Sequence, residues 1–406
     1  MPRNVIFVAP YPIETTMRFA RAAARLDDVK LLGLVNEAPS GNDGRIYDDI
    51  VRVTRPLDVC DILEGVEVLR RRHGQIHRII GILEPLMVQL AQARQHFNVP
   101  GTRPEVADLF RDKNRMKDAL RAAGLPVAQH KLVTSEHDAR EFAAQVAFPM
   151  VLKPPAGMGA KATFRVENMQ EFLNALRQMR VDAESPVLAE EMLRGSEYSM
   201  ETVTIDGNPQ TASFSHYAPS CLDVLENAWI QWACILPREI DAPVFGAAQK
   251  MGFDAIRALG LDSGMTHMEW FERDDGRLAI GEIAQRPPGA NITRMTGLVH
   301  DIDPYRAWAR AVVDNELDAP WKRKYAVGCA FLRGQGRGRV VGVTGVQKTN
   351  EMVGKWVVES KLPQEGAMKS DSYEGDGYII ARHESTEAVR QIIKTVIETV
   401  QVHYEE

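Results

Sequence analysis

Apolar runs and amphipathic helical patterns alternate over the first hundred residues of the chain. Strand-like apolar runs occur at residues 4–9, 30–35 and 76–83, and helical patterns occur at residues 15–26 and 84–97. Strands that are separated by helices pair in parallel, because each helix carries the chain back to the starting edge of the sheet. The pattern therefore predicts an α/β fold whose N-terminal domain contains a doubly wound parallel sheet. Such sheets bind ligands beyond the carboxyl ends of their strands.

Beyond residue 104 the pattern changes to helices mixed with strands. After Ala319-Pro320 several strand-like runs follow one another, and a closing helix is predicted at residues 385–402. The region therefore predicts α+β structure followed by a smaller β-rich part. Its other predicted elements are helices at residues 111–123, 245–259 and 304–314, and strands at residues 149–153, 187–192 and 198–205.

The segment HMEWFERDDGRLAIGEIAQR has the pattern of a β-hairpin in which two glutamates face each other. Asp275-Gly276 is a strong two-residue turn signal, and a turn at this position pairs Glu269 with Glu282. Two carboxylates at directly opposite positions of a sheet repel each other. The arrangement becomes favourable when a hard cation such as Mg²⁺ lies between them. The alternative is a surface hairpin whose glutamates point to water.

The same register determines which other residues share this face of the hairpin. It pairs Phe271 with Ile280 and His267 with Ala284, and it places Arg286 on the face that carries the glutamates. A stiff Pro-Pro-Gly turn follows this arginine. Because a guanidinium suits planar carboxylate and phosphoryl groups, Arg286 is a candidate for binding a reacting acid. A solvent-exposed ion pair with one of the glutamates is the alternative.

A lysine ends a buried strand in the segment PMVLKPPAGMGAKATFRV. Lys153 is followed by a loop of small residues that includes Gly157 and Gly159. Small residues allow backbone N–H groups to approach phosphate oxygens, and a lysine neutralises phosphate charge. The spacing is not that of a Walker loop, and a flexible hairpin tip is the alternative interpretation.

Another strand runs into Glu190 and Glu191 in the segment PVLAEEMLRGSEYSME. Backbone groups at this strand end would read the edge of a purine, and the side chains of Met192 and Leu193 would cover its faces. A carboxylate such as Glu197 would hold ribose hydroxyls. The alternative is an acidic strand end at the protein surface.

Composition and charge exclude several other classes of function. The 406-residue chain is 45% hydrophobic and carries a net charge of −6, so no basic surplus favours nucleic-acid binding. The short basic stretch at residues 333–339 is broken by glycines and is predicted to be a solvent-exposed loop. No apolar run approaches the ~20 residues that cross a bilayer, and the four cysteines are too scattered for a disulfide framework or a zinc site. We therefore expect a cytoplasmic protein that binds neither nucleic acid nor membrane.

The lysine-ended strand, the acidic hinge strand and the paired-carboxylate hairpin, in this order, resemble the ATP-grasp superfamily. The resemblance extends to IIGILEPLMVQLAQARQHFNVPG in the N-terminal region and to DKNRMKDALRAAGLPV, which contains Lys113. The chain is most similar to the branch of carbamoyl phosphate synthetase and biotin carboxylase, and especially to L-amino-acid (dipeptide) ligases. The pattern Glu-x-x-x-Arg-x-Pro-Gly that begins at Glu282 and the β-rich C-terminal part both favour these ligases.

This resemblance implies roles for the motif residues. Nucleotide-binding roles fall on the lysines, the small-residue loop and the hinge: Lys113, Lys153, Gly157, Gly159, Lys161, Glu190, Glu191, Met192, Leu193 and Glu197. Metal-binding roles fall on Glu269 and Glu282, and catalytic roles fall on Arg286, Glu282 and Lys153. The implied cofactors are ATP and two Mg²⁺ ions, for which Mn²⁺ can substitute.

The resemblance also implies a division into three domains. Residues 1–108 form the N-terminal α/β domain that precedes the ATP-grasp core, and residues 321–406 form a small β-rich α+β domain. The ATP-grasp domain takes residues 109–320 and consists of two α+β subdomains, of which the nucleotide-binding lid covers about residues 127–192.

The implied activity is that of an ATP-dependent carboxylate–amine ligase, which forms an amide or peptide bond through an acyl phosphate and releases ADP and phosphate. Two alternatives stay open, namely an ATP-dependent carboxylase that forms carboxyphosphate and a non-catalytic ATP-binding module. The expected partners are small carboxylates and amines of amino-acid type, and the resemblance allows a homodimer. Candidate substrate-binding residues are His216, Tyr217, Trp229, His267, Gly289, Asn291 and Arg294.

One position departs from the pattern of carboxylase-type members. These proteins usually have Glu-x-Asn-x-Arg on the second hairpin strand, whereas Ala284 occupies the middle position here. The departure removes one metal ligand and weakens the carboxylase interpretation. His267, which faces Ala284, is expected to fill part of the gap through a water molecule or a phosphate oxygen. Packing of this histidine within the strand is the alternative.

Overall fold

The N-terminal region forms a four-stranded sheet. The computed structural model describes residues 2–157, 162–227 and 230–405. The elements of this region are β1 (Arg3–Val8), α1 (Glu14–Ala24), β2 (Val29–Val35), α2 (Gly41–Gly44), β3 (Asp49–Arg52), α3 (Val59–His73), β4 (Ile76–Ile80), a 3₁₀ turn (Glu84–Leu86) and α4 (Met87–His96). The strands lie in the order β3-β2-β1-β4, and all three pairings are parallel.

Alternate side chains of β1 explain why both faces of this sheet are covered. Val5 and Phe7 belong to the core that α1 closes, whereas Ile6 and Val8 belong to the core that α3 and α4 close. Successive residues of a strand point to opposite faces, so a strand buried on both sides needs an uninterrupted apolar run. The predicted α/β class and the doubly wound parallel sheet are confirmed.

The next region builds a second four-stranded sheet, which is antiparallel. Its elements are α5 (Pro104–Arg111), α6 (Lys113–Ala122), β5 (His130–Val133), α7 (Glu136–Gln145), β6 (Met150–Lys153), β7 (Phe164–Val166), α8 (Met169–Met179) and β8 (Val187–Glu191). The strands lie in the order β5-β8-β6-β7. Helices α7 and α8 bury their apolar faces against this sheet.

The rest of the chain contributes one large antiparallel sheet of eight strands, in the order β13-β12-β9-β10-β11-β14-β17-β16, together with a separate β15–β18 pair. The elements are β9 (Gly195–Ile205), β10 (Asn208–Ala218), α9 (Cys221–Glu226), β11 (Ala233–Leu236), α10 (Pro243–Leu259), β12 (Gly264–Arg273), β13 (Leu278–Ala284), α11 (Ile292–His300), α12 (Pro304–Asp314), β14 (Ala326–Leu332), β15 (Val340–Thr344), α13 (Val346–Val353), a 3₁₀ turn (Gly354–Trp356), β16 (Val357–Lys361), β17 (Gly377–His383), α14 (Thr386–Thr399) and β18 (Gln401–Tyr404). The β-rich C-terminal part therefore continues the sheet of the central region through the β11–β14 pairing. The three domain bounds remain a proposal.

The closing helix is shorter than the sequence pattern predicts. Helix α14 ends at Thr399, and the last residues assigned to the predicted helix belong to strand β18, which pairs with β15. Val402 and Tyr404 are buried there, whereas the residues between and before them are exposed. This alternation has the period of a strand. The residues therefore pair with β15 and do not continue the helix that precedes them.

The basic stretch at residues 333–339 is only partly the exposed loop that the sequence predicts. Arg333 is buried, and its guanidinium donates a hydrogen bond to the backbone oxygen of Val224 at 2.8 Å. The prediction was therefore wrong for this residue, because a long-range carbonyl partner lets an arginine enter the interior. Among the described residues, no helix is both long enough and apolar enough to cross a membrane.

Candidate active site

The hairpin of β12 and β13 brings Glu269 and Glu282 into direct opposition. Their Cα positions are register partners, and His267 is the register partner of Ala284. Strand β9 pairs with the other edge of β12, so this face of the hairpin lies within the large sheet. The predicted pairing of the two glutamates, and that of the histidine with the alanine, are confirmed.

The register at the tip of the hairpin differs from the prediction. Gly276 donates a hydrogen bond to the backbone oxygen of Arg273 at 2.8 Å, so the turn begins one residue earlier than predicted. Phe271 therefore pairs with Ala279 and not with Ile280. An irregularity at Gly281 adds one residue to β13 and restores the predicted register at the glutamates.

Each of the two facing carboxylates has a cationic neighbour. The Lys113 ammonium lies 2.9 Å from Glu282, and Nε2 of His267 lies 3.7 Å from Glu269. Burial opposes ionisation of Glu282, but the charges of Lys113 and Lys153 outweigh it and lower the pKa of this carboxyl to about 2. The repulsion expected between the glutamates is thus offset by side chains of the protein itself.

Glu190, which lines the cavity described below, pairs with two lysines. Its carboxylate lies 2.8 Å from the Lys153 ammonium and 3.3 Å from the Lys117 ammonium. Lys117 is fully buried and also donates to the backbone oxygen of Gly281 at 2.5 Å. Burial raises the pKa of Glu190, but the two lysines outweigh it, so the net shift is downward and the carboxylate stays ionised. The lysine-ended strand, the hinge strand and the hairpin therefore meet around one carboxylate.

The small-residue loop starts against the N-terminus of α6. The Lys113 ammonium donates to the backbone oxygen of Gly157 at 2.9 Å, and the Lys113 amide donates to that of Pro155 at 3.0 Å. The first predicted nucleotide lysine and the loop are therefore adjacent. Gly159 and Lys161, which were also predicted to bind nucleotide, lie outside the described residues.

Arg286 is held by a carboxylate from the N-terminal region. Its Nε donates to Glu84 at 2.8 Å, and its Nη1 donates to the backbone oxygen of Pro287 at 3.2 Å. Glu84 is 6% exposed and also lies 3.3 Å from Arg111. Burial disfavours the charged guanidinium, but the charge of Glu84 outweighs it and raises the pKa of Arg286. Glu84 therefore keeps Arg286 charged and fixes its orientation.

A buried polar network lies behind the glutamates. Nδ1 of His267 lies 3.0 Å from Glu201, and the Ser199 hydroxyl donates to the same carboxylate at 2.6 Å. Burial opposes protonation of His267, but its hydrogen bonds with Glu201 and Glu269 outweigh it and raise the pKa to about 9. The histidine is thus anchored through Nδ1, while its Nε2 lies 3.5 Å from the Tyr217 hydroxyl and 3.7 Å from Glu269.

These groups surround one cavity of about 900 Å³. Glu197 lines it, accepts a hydrogen bond from the Cys221 amide at 3.3 Å, and has its pKa raised to about 8 by burial and by the charge of Glu269. The hinge residues Glu191, Met192 and Leu193 also line the cavity. The sheet face, the hinge and the end of strand β4 therefore enclose a common space.

Five of the seven residues predicted to bind substrate line the cavity. Tyr217, His267, Gly289, Asn291 and Arg294 line the cavity. His216 does not, because neighbouring residues of β10 point to opposite faces, and its ring packs 4.8 Å from that of Tyr198. Its position gives no support to a substrate-binding role. Trp229 lies outside the described residues.

Several residues at the site were not singled out from the sequence. The buried face of α6 consists of Lys113, Met116, Lys117 and Leu120, whose i, i+3, i+4 and i+7 spacing was a readable signal for Lys117. Glu84 follows β4 closely, at the edge where parallel sheets bind ligands. Glu201 follows Glu197 by four residues in β9, so strand alternation was a readable signal for its face. Tyr373 and Glu374 reach the cavity through long-range packing that no local pattern reveals.

The donor set fits magnesium that arrives with a nucleotide. Glu269 and Glu282 offer hard carboxylate oxygens on one face. Within the described residues, no group of three or more His, Cys, Asp or Glu side chains is arranged to hold a metal ion by itself. Mg²⁺ is usually held by one or two carboxylates plus substrate phosphates, so two ligands are sufficient for that mode of binding.

Comparison with known proteins finds a match to one domain family in the central part of the chain. The family model of the ATP-grasp domain matches residues 118–294. An L-arginine-specific L-amino acid ligase of Bacillus subtilis is 25% identical over 256 residues, and the match covers 62% of this chain and 59% of that ligase. This chain thus spans less than two thirds of the length of that relative.

Two solved structures show the same fold over nearly all of the chain. An L-amino acid ligase from Bacillus licheniformis has a TM-score of 0.81 at 19% identity, and the alignment covers 100% of this chain and 99% of that one. The biotin carboxylase domain of a 2-oxoglutarate carboxylase from Hydrogenobacter thermophilus, solved with MgADP and bicarbonate, has a TM-score of 0.69 at 15% identity, covering 99% and 91% of the two chains. Residues 118–294 therefore match an ATP-grasp domain, and the chain shares the fold of these two structures.

Proposed function

We propose that this protein is an ATP-dependent carboxylate–amine ligase that forms an amide or peptide bond between amino-acid-like substrates. The observation that carries the proposal is the convergence of facing carboxylates, Glu269 and Glu282, with Lys113, Lys153 and Arg286 around one cavity. A site of this kind places positive charge and metal ligands where a phosphoryl group would be transferred to an acid.

The nucleotide occupies the part of the cavity between the hinge and the hairpin. Lys113 and Lys153 neutralise its phosphates, and Met192 and Leu193 cover the base. Glu269 and Glu282 would hold magnesium, which supplies charge neutralisation on the phosphate oxygens. Two ions, with Mn²⁺ as a substitute, are part of the proposal, and titration of turnover against each metal tests their number and identity.

The reaction takes place in two displacements. An oxygen of the substrate carboxylate forms a bond to the γ-phosphorus of ATP, and the bond from that phosphorus to the bridging oxygen of ADP breaks. The amine then forms a bond to the acyl carbon, the bond to the phosphate oxygen breaks, and the amine gives up a proton. Arg286, held by Glu84, binds the carboxylate and then the acyl phosphate.

The end of the cavity that contains Arg294 is suited to binding substrates of amino-acid type. Arg294 lines it and shares Glu359 with Arg18, at 2.8 Å and 3.6 Å respectively. Arg18 also pairs with Glu14 at 3.1 Å, so Arg294, whose guanidinium is suited to a planar carboxylate, is the candidate for binding a substrate carboxylate here. The relative from Bacillus subtilis is named as an L-amino acid ligase, which agrees with this assignment.

A phosphate-release screen tests the proposal. Amino acids are supplied singly and in pairs with Mg-ATP, and products are identified by mass spectrometry. We expect one acid to stimulate ATP consumption, a second compound to enhance it, and an amide to appear. Stimulation by bicarbonate alone would assign the carboxylase activity instead, and tight ATP binding without turnover would assign a non-catalytic module. Light scattering of the same sample tests whether the protein is a homodimer.

A further inference from the structure

A fixed loop of the C-terminal part contributes to the wall of the cavity. Tyr373 and Glu374 both line the cavity and precede strand β17. The Gly375 amide donates to the backbone oxygen of Ser372 at 3.0 Å, and the Asp376 amide donates to that of Leu332 at 3.0 Å. The first bond closes the loop on itself and the second ties it to strand β14, so its two cavity-lining residues have a defined position.

Glycine at position 375 is required for this close approach. Its φ of 62° lies in the left-handed region, and a Cβ there would come within 2.4 Å of the Leu332 backbone oxygen. Among the described residues, the side chain of Glu374 forms no hydrogen bond within the loop. The hydrogen bond that this residue forms there is donated by its backbone amide to the Ser372 hydroxyl. The loop therefore presents the carboxylate to the cavity without using it for its own structure.

Glu374 differs from the other acidic residues around the cavity. In the described part of the chain, its carboxylate has no ion pair and no hydrogen-bond donor, whereas Glu84, Glu190 and Glu282 each have cationic partners. Burial alone raises the pKa of Glu374. Glu374 is half-buried, and a carboxylate that loses part of its hydration without gaining a partner is unfavourable, so the site is complementary to a cation that enters the cavity.

The surroundings of Glu374 suit an ammonium group. The Tyr373 ring lies 4.8 Å from that of Trp232, which in turn lies 5.2 Å from that of Tyr217, and all three residues line the cavity. Aromatic rings attract cations electrostatically. The hydroxyl of Tyr373 is close enough to Glu269 and Arg286 for their charges to act on it. The charge of Glu374 acts on the same hydroxyl, so Glu374 and Arg286 both lie near Tyr373 in the wall of one cavity.

We propose that Glu374 binds the α-ammonium group of the amino acid whose carboxylate is activated. The inference rests on the proposed function, since Arg286 is assigned to that carboxylate. An α-amino acid carries its ammonium group on the carbon next to the carboxylate, so Arg286 and Glu374 would hold its two charges at once. The site would then reject carboxylic acids that lack the amino group.

The test compares amino acids with the corresponding acids that lack the α-amino group. L-Alanine, L-leucine and L-phenylalanine are paired with propionate, isocaproate and hydrocinnamate, and hydroxylamine replaces the unknown amine by trapping acyl phosphates as hydroxamates. We expect E374Q to lower kcat/KM for the amino acids on the order of 10-fold, mainly through KM, because a charge-assisted bond is lost. The values for the three desamino acids should stay unchanged.

The matched control is D371N, which removes a negative charge from the same loop at an exposed position outside the lining of the cavity. It should leave every value as in the wild type. Equal loss for amino acids and desamino acids in E374Q, or no loss for either, would overturn the proposal.

Binding measurements separate this proposal from the proposed function. Calorimetry is performed with the same acids in the presence of Mg²⁺ and a non-hydrolysable ATP analogue. If the wild type binds amino acids preferentially and E374Q loses this preference, the ammonium site is supported even when no hydroxamate forms. If hydroxamates form without any preference for amino acids, the ligase assignment stays intact and the role of Glu374 is overturned. The role of Glu374 is also overturned if the wild type binds no amino acid more tightly than the corresponding desamino acid.

Discussion

Substitution of Glu84 by glutamine tests how Arg286 is positioned. The Glu84 carboxylate is 6% exposed and accepts hydrogen bonds from Arg286 at 2.8 Å and from Arg111 at 3.3 Å. An amide of the same size can accept from one arginine, but its NH₂ group cannot accept from the other. The E84Q variant therefore loses about one charge-assisted hydrogen bond, with a cost of about 2 kcal/mol.

This cost can be measured as a shift in melting temperature. With an unfolding entropy of about 2.1 cal/mol/K per residue, a loss of this size lowers the melting temperature of the chain by about 2 °C. Because Arg286 is no longer fixed, kcat/KM should fall on the order of 100-fold. Calorimetry and the hydroxamate assay give the two values.

The control for E84Q is a surface glutamate that also bridges two arginines. Glu67 accepts hydrogen bonds from Arg70 at 2.7 Å and from Arg71 at 2.8 Å on helix α3. Exposed ion pairs contribute little, so E67Q should change the melting temperature by less than about 1 °C and leave kcat/KM unchanged. If E84Q behaved like E67Q in both measurements, the positioning role of Glu84 would be refuted.

Further predictions concern the lysines and the hairpin. Lys117 is fully buried and pairs with Glu190, so K117M should lower the melting temperature by a few degrees and raise the KM for ATP. The control is K250M, which removes an exposed ion pair with Asp254. Equal behaviour of the two variants would contradict the prediction. E269Q should raise the Mg²⁺ concentration for half-maximal turnover at least about 10-fold, whereas an unchanged metal titration would exclude Glu269 as a ligand. Amide exchange across residues 267–284 should slow when Mg-ATP is added, and identical protection in both states would count against nucleotide-linked ordering of the hairpin.

The hairpin shows both the strength and the limit of reasoning from local pattern. Alternation of side chains and the Asp-Gly signal were enough to pair Glu269 with Glu282. The turn was nevertheless placed one residue too late, and the irregularity at Gly281 compensated for the error. The isolated Gly281 was itself a signal for a bulge, because a glycine inside a strand pattern often marks one. The contact of its carbonyl with the Lys117 ammonium is long-range, and no local pattern predicts it.

The residues that complete the site come from distant parts of the chain. Glu84 reaches Arg286 across 202 positions of sequence, and Glu374 enters the cavity from the C-terminal part. Their chemistry depends on which partners they meet, and that is decided by tertiary packing. The sequence pattern therefore predicted the fold class and the charged motifs, but it could not predict how the N-terminal and C-terminal parts support them.

Transfer of an isotopic label tests the central proposal, activation of a carboxylate by ATP, most directly. An amino acid that stimulates ATP consumption is supplied with both carboxylate oxygens as ¹⁸O, together with its amine partner, and the released phosphate is analysed by mass spectrometry. Formation of an acyl phosphate predicts that one labelled oxygen appears in each molecule of phosphate and that the amide keeps the other. Phosphate without label, released while the amide forms, would contradict the account.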